Sequence, residues 1–139
     1  MPDAPAGFEP WPRSSPFADH AGPLLFRRDG DRLTFGVVVE ERHTNARGTA
    51  HGGMLATMAD LVLGYAAAFS TDPPTRLQTA GLSIDFLSAA RPGDFVTASP
   101  QVLRVGGRLA HATVTLEVES RVVARASCVS VVDADVRSA

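Results

Sequence analysis

Residues 52–70 read GGMLATMADLVLGYAAAFS, and the way they sort by size decides the fold. Met54, Met58, Leu61, Val62, Tyr65 and Phe69 recur at three- and four-residue spacing and form one bulky stripe of a helix. Gly53, Ala56, Thr57, Asp60, Gly64, Ala67 and Ala68 form a second stripe of small residues with one carboxylate in its middle. A helix that is apolar on nearly every face is a buried one. The bulky stripe is expected to sit in a sheet, and the small stripe lets another body approach closely. Nineteen residues also match a bilayer span. Asp60 at the centre would cost roughly 2.5–3.5 kcal/mol there, and the surrounding strands would lose their covering layer. No membrane partner is expected.

Outward from this helix the chain reads as strands. Upstream, residues 24–28 and 32–40 are β-rich and separated by Asp29-Gly30-Asp31, a hairpin turn signal. Residues 41–50 are polar and lack periodicity, so they read as a loop. Downstream, residues 71–75 hold Pro73-Pro74 and form a loop, and four strands follow at 77–87, 95–105, 108–119 and 121–132. Pro92-Gly93-Asp94, Gly106-Gly107 and Ser120 mark the turns. In the third of these strands Ala110, Ala112, Val114, Leu116 and Val118 alternate inward against His111, Thr113, Thr115, Glu117 and Glu119. Pro100 cannot donate to a ladder, which puts an edge or a bulge there. One long helix with about six strands is α+β, a curved sheet wrapped around a helix.

Residues 1–23 hold Pro2, Pro5, Pro10, Pro12, Pro16 and Pro23, six of the ten prolines. They read as an irregular arm before a single domain at 24–139, either tacked onto its surface by Phe8, Trp11 and Phe17 or left as a disordered tail. They lack the apolar run of a secretory signal. The net charge of −2 offers no clustered basic face for nucleic acid. All 13 basic side chains are arginine, which removes lysine Schiff-base chemistry. A single cysteine, Cys128, forms no internal disulfide, and a reducing cytoplasm is the expected home.

Chemistry concentrates at the helix. His51-Gly52-Gly53 opens it, and a helix N-terminus with no side chains in the way presents free N–H groups to a developing oxyanion. Asp60, amid alanine, leucine and valine, is poorly solvated, which makes it a better base or nucleophile. Gly52 and Asp60 are eight residues apart, roughly 12 Å at 1.5 Å per residue. One helix therefore cannot bring both to one carbonyl. If both act, the acid comes from a second copy of the chain.

Other candidates carry less. Gly81-Leu82-Ser83-Ile84-Asp85 has a serine in nucleophile-elbow context, but strand follows rather than helix. Ser83 fits better as a hydroxyl that positions water. His43 and His51 lack metal-ligand spacing, and one cysteine supplies no zinc cluster. Thr57, Tyr65 and Cys128 read as structural, and His20 and His111 as surface residues. No cofactor or metal is expected.

The block from Asn45 through His51-Gly52-Gly53 to Asp60 resembles the signature of the PaaI-type hot-dog acyl-CoA thioesterases. The later Ser83 and the Arg91-Pro92-Gly93-Asp94 turn resemble that family too. The resemblance covers residues 24–132 and implies a hot-dog fold, a homodimer or a dimer-of-dimers tetramer, and an acyl-CoA substrate. It implies that the Gly52 N–H polarises the thioester carbonyl, that Asn45 and His51 place it, and that Gly53 contributes to substrate binding. It further implies that Asp60 of the partner chain attacks or activates water, which Ser83 orients. Some branches carry threonine or serine one turn after the acid; here Gly64 stands there, which favours the branch with a later serine. Arg47, Arg91, Arg104 and Arg108 are the candidates for the CoA phosphates. The alternatives are a hot-dog acyl-thioester dehydratase or hydratase, and a non-catalytic acyl-CoA-binding module.

Overall fold

A computed structural model describes residues 4–133. Strand β1 (Glu9–Pro10) and helix α1 (Pro16–Ala21) precede the hairpin of β2 (Leu25–Asp29) and β3 (Arg32–Val38). A single 3-10 turn, Glu41–His43, leads to the long helix α2 (Gly52–Ala68). The strands β4 (Leu77–Phe86), β5 (Phe95–Ala98), β6 (Gln101–Val105), β7 (Leu109–Val118) and β8 (Arg121–Val132) complete the chain. All pairings are antiparallel, in the order β1-β2-β3-β5-β7-β8-β4, with β6 beside β7. This is the expected α+β architecture, with one main helix against a curved sheet. Among the described residues no helix is long and apolar enough to cross a membrane.

The helix buries a different face from the one that size alone suggests. Met54, Leu55, Met58, Ala59, Val62, Leu63, Ala66 and Ala67 are buried, a pair of neighbours every four residues. They pack with Val96, Ala112, Val114, Leu116, Ala126 and Cys128 of the sheet. Each large side chain so buried contributes about 1.5–3 kcal/mol. Alanines join this face because close contact with strands suits small side chains. Leu61, Tyr65 and Phe69 are only half-buried and border the small-residue stripe.

Two strand features matter below. Residues 95–102 keep one register against β7, Ala98 opposite Leu116 and Gln101 opposite Thr113, and the register shifts by one between Val102 and Arg104. Ser99-Pro100 interrupts the pairing where β3 no longer runs alongside, so the expected break falls at a sheet edge. Strand β4 pairs with β8 up to Thr79–Ser130, slips, and resumes at Gly81–Val129. The extra residue is Ala80. A bulge of this kind reverses which side chains face the core.

The N-terminal segment is more ordered than its prolines suggest. Beside β1 and α1 it carries Trp11, buried in the core with its ring 5.0–5.7 Å from those of Phe26, Phe35, Tyr65 and Phe69. Phe8 packs edge-on against Phe95 at 4.9 Å, whereas Phe17 is 68% exposed and anchors nothing. Arg42 donates to the carbonyls of Asp19, His20 and Gly22, which ties α1 to the loop before α2.

Candidate active site

The start of α2 is organised by its own side chains. His51 is the N-cap, and its Nδ1 accepts the Gly53 N–H at 2.8 Å. This leaves Nε2 as the donor of a neutral ring. The N–H of Gly53 is therefore occupied. No acceptor among the described residues meets the N–H of Gly52, which makes it the donor open to a ligand at this helix end. A Cβ at Gly52 would lie 3.2 Å from the Phe86 ring, so that ring walls the Gly52 position closely. Asn45 shapes the approach. Its Oδ1 accepts the N–H groups of Arg47 and Thr49, and its Nδ2 donates to Thr49 Oγ1 at 2.9 Å. Asn45 is thus a loop-builder that delivers His51 and Gly52 to the helix.

Asp60, half-buried, accepts a 2.6 Å hydrogen bond from Thr79 Oγ1. Sequence reasoning missed Thr79. Plain alternation along β4 puts Thr79 and Ser83 on one face, but the Ala80 bulge separates them. Thr79 faces the helix, while Leu82 and Ile84 turn inward and Ser83 turns outward opposite Ser127. Ser83 lines a separate cavity on the outer face of the sheet with Asp85, Gln101, Thr115 and Arg125. Within one chain the structure does not bring Ser83 to Asp60. The signal was Gly81, since an isolated glycine in a strand marks a bulge.

Asp60 and Thr79 open onto a cavity of ≈ 540 Å³. Its walls include Leu61, Gly64, Tyr65, Ala68 and Phe69 of α2, so Tyr65 lines a site as well as packing on Trp11. No arginine stands near Asp60 in sequence, yet Arg13 of the arm and Arg76 before β4 both reach this cavity. Gly52 belongs elsewhere, beside Phe86 at the other end of β4.

The thioesterase superfamily profile matches residues 47–125, a span that holds the helix, Asp60, Thr79 and the start of β8. The chain belongs to the thioesterase superfamily. As a member it is a thioester hydrolase, with the hot-dog architecture of the PaaI-type branch. It is 45% identical over 128 residues to the Pseudomonas aeruginosa protein named "Putative esterase PA0474", covering 91% of this chain and 96% of that one. It is 33% identical to mouse acyl-coenzyme A thioesterase 13 over 62% of this chain and 61% of that one. The Escherichia coli PaaI structure shares the fold, with a TM-score of 0.74 at 22% identity over 85% of this chain and 84% of that one.

Two further groups in this thioesterase are structural. Cys128 is buried, and burial pushes its thiol pKa up, against a nucleophilic role. His43, 3% exposed, bolts the arm to the loop before α2. Its Nδ1 accepts the Glu40 N–H at 3.0 Å, and Nε2 donates to the Gly22 carbonyl at 3.0 Å. Burial, then the nearby Arg42 charge, lowers its pKa below 6.5. The unfolded chain therefore binds the proton more readily. The stabilisation is full above about pH 6.5 and is lost as pH falls through the depressed folded value. Urea midpoints are expected to drop between pH 7.5 and 5.5, and less steeply for His43→Gln than for the wild type. Parallel slopes for the two proteins would refute this.

Proposed function

We propose that the enzyme hydrolyses acyl-CoA thioesters at a site shared by two copies of the chain. The observation that carries this is the Thr79–Asp60 pair facing an apolar-walled cavity, set apart from the free N–H of Gly52. Thr79 holds one carboxylate oxygen of Asp60 and leaves the other for chemistry. The Gly52 N–H of the first chain polarises the thioester carbonyl at the positive end of its helix. Asp60 of the second chain attacks that carbon or takes a proton from water that attacks it. Collapse of the tetrahedral adduct expels the CoA thiolate, which takes up a proton, and water supplies the oxygen of the acid. CoA as carrier rests on the name of the mouse relative. Arg104 and Arg108, which line a cavity of ≈ 370 Å³ at the β6–β7 turn, suit its phosphates. A single cysteine and this substrate suit a cytoplasmic enzyme.

The second copy has a natural seat. The sheet ends at β4, a ten-residue strand paired on one side only, with Phe86 and Leu87 53% and 60% exposed. Such an edge is a template for another strand. A homodimer joined there, or a tetramer of two such dimers, puts the small-residue stripe of each helix within reach of its partner.

Thiol release from a panel of acyl-CoAs tests the activity. In the same assay Thr79→Val is expected to lower turnover by about 10- to 100-fold, and Ser83→Ala to leave it near wild type. Equal losses in the two variants would return Ser83 to the site, and no thiol release from any acyl-CoA would remove the proposed substrate class.

A further inference from the structure

The cavity beside Asp60 is apolar along its helical wall and cationic at its rim. Gly64 and Ala68 leave room along α2 between Leu61, Tyr65 and Phe69. Phe69 lies nine residues beyond Asp60, roughly 13 Å along the helix axis. At that far end the Arg13 guanidinium lies over the Phe69 ring, 5.0 Å from its centroid. Arg76 reaches the same cavity from the residue before β4. Among the described residues neither side chain has a carboxylate partner, and Asp60 is the only acid lining the cavity. Both arginines are exposed, so solvent answers their charge, and a purely apolar acyl tail would offer nothing in its place.

We propose that Arg13 and Arg76 read an anion at the distal end of the acyl chain, so that the preferred substrates are thioesters of medium-length ω-carboxyacyl groups. This rests on the acyl-CoA reading above and deepens it. With the thioester carbon at Asp60, an extended chain runs along Leu61, Gly64 and Ala68, and its terminal carboxylate arrives at the two guanidiniums. Trp11, buried two residues before Arg13, fixes the arm that carries it. The same two cations would also answer a phosphate of CoA, and the experiment separates the two sources.

The test compares kcat/KM for suberyl-CoA with octanoyl-CoA, and sebacyl-CoA with decanoyl-CoA, at equal chain length. The wild type is expected to favour the dicarboxylic member of each pair. In the double variant Arg13→Gln, Arg76→Gln that ratio is expected to fall about tenfold, as loss of charged hydrogen bonds to a carboxylate implies. Arg13→Lys with Arg76→Lys, which keeps the charge, is expected to retain most of the preference, an outcome a merely structural role would not give. If the glutamine variant depresses both members of each pair equally, the arginines hold the phosphates of the carrier and the proposal is overturned. A wild type that hydrolyses octanoyl-CoA and rejects suberyl-CoA also overturns it. Release of thiol from neither removes the acyl-CoA reading together with this one.

Discussion

Asp60→Asn is expected to cut turnover of acyl-CoA by 10²-fold or more, the scale of losing a positioned base or nucleophile, while the unfolding midpoint stays close to wild type. Asparagine has the size of aspartate, and its carbonyl oxygen still accepts the 2.6 Å bond that Thr79 gives Asp60. Only the second oxygen changes, from a carboxylate oxygen to an amide nitrogen that neither attacks nor takes a proton. Asp60→Ala is a weaker test, because it also leaves Thr79 unpartnered and empties volume on a half-buried face. Steady-state thiol release with a parallel urea titration separates the two effects. A folded Asp60→Asn protein with near wild-type turnover would show that the acid is structural. After one turnover of wild-type enzyme in ¹⁸O-water, label in the Asp60 carboxylate would show that Asp60 attacked and that water then opened the anhydride at the aspartyl carbon, since base catalysis labels only the product acid.

The helix was readable from sequence because its residues are nearly all apolar and small, and one carboxylate among them stands out. β7 was readable because its inward and outward residues alternate without interruption. β4 was not, because alternation assumes two residues per repeat and Ala80 breaks the count. That single slip moves Thr79 to the helix side and Ser83 to the far side, so the hydroxyl beside the acid is a threonine four residues earlier. The arm misled in another way. Prolines limit helix and strand locally, but Trp11 carries enough apolar area to hold a segment in the core whatever its secondary structure. Arg13 reaches the site through that insertion. Sequence distance from Asp60 hid it, as it hid Arg76.

Two chains that are each inactive are expected to restore activity when they share a dimer. Along one helix Gly52 and Asp60 are roughly 12 Å apart, and the structure adds a second ruler, since Gly52 lies by Phe86 and Asp60 by Thr79, at opposite ends of β4. Neither measure lets one chain meet one carbonyl with both groups. The first chain carries Asp60→Asn. The second carries Gly52→Pro, which deletes the N–H that has no partner. Proline is tolerated at the first position of a helix, and His51 before it is already extended, at φ −64° and ψ 136°, as a residue preceding proline should be. Phe86 must yield by a few tenths of an ångström to a Cβ there, so both proteins are checked for folding by circular dichroism. Each homodimer lacks one group at both sites. The mixed dimer has one site with Gly52 of the first chain facing Asp60 of the second, and one site with neither. Random pairing on co-expression makes about half of all dimers mixed, hence roughly a quarter of wild-type activity by counting competent sites. Activity at that level requires the shared site. Mixed dimers confirmed by native mass spectrometry that stay inactive would count against it, and a fully active monomer would end it.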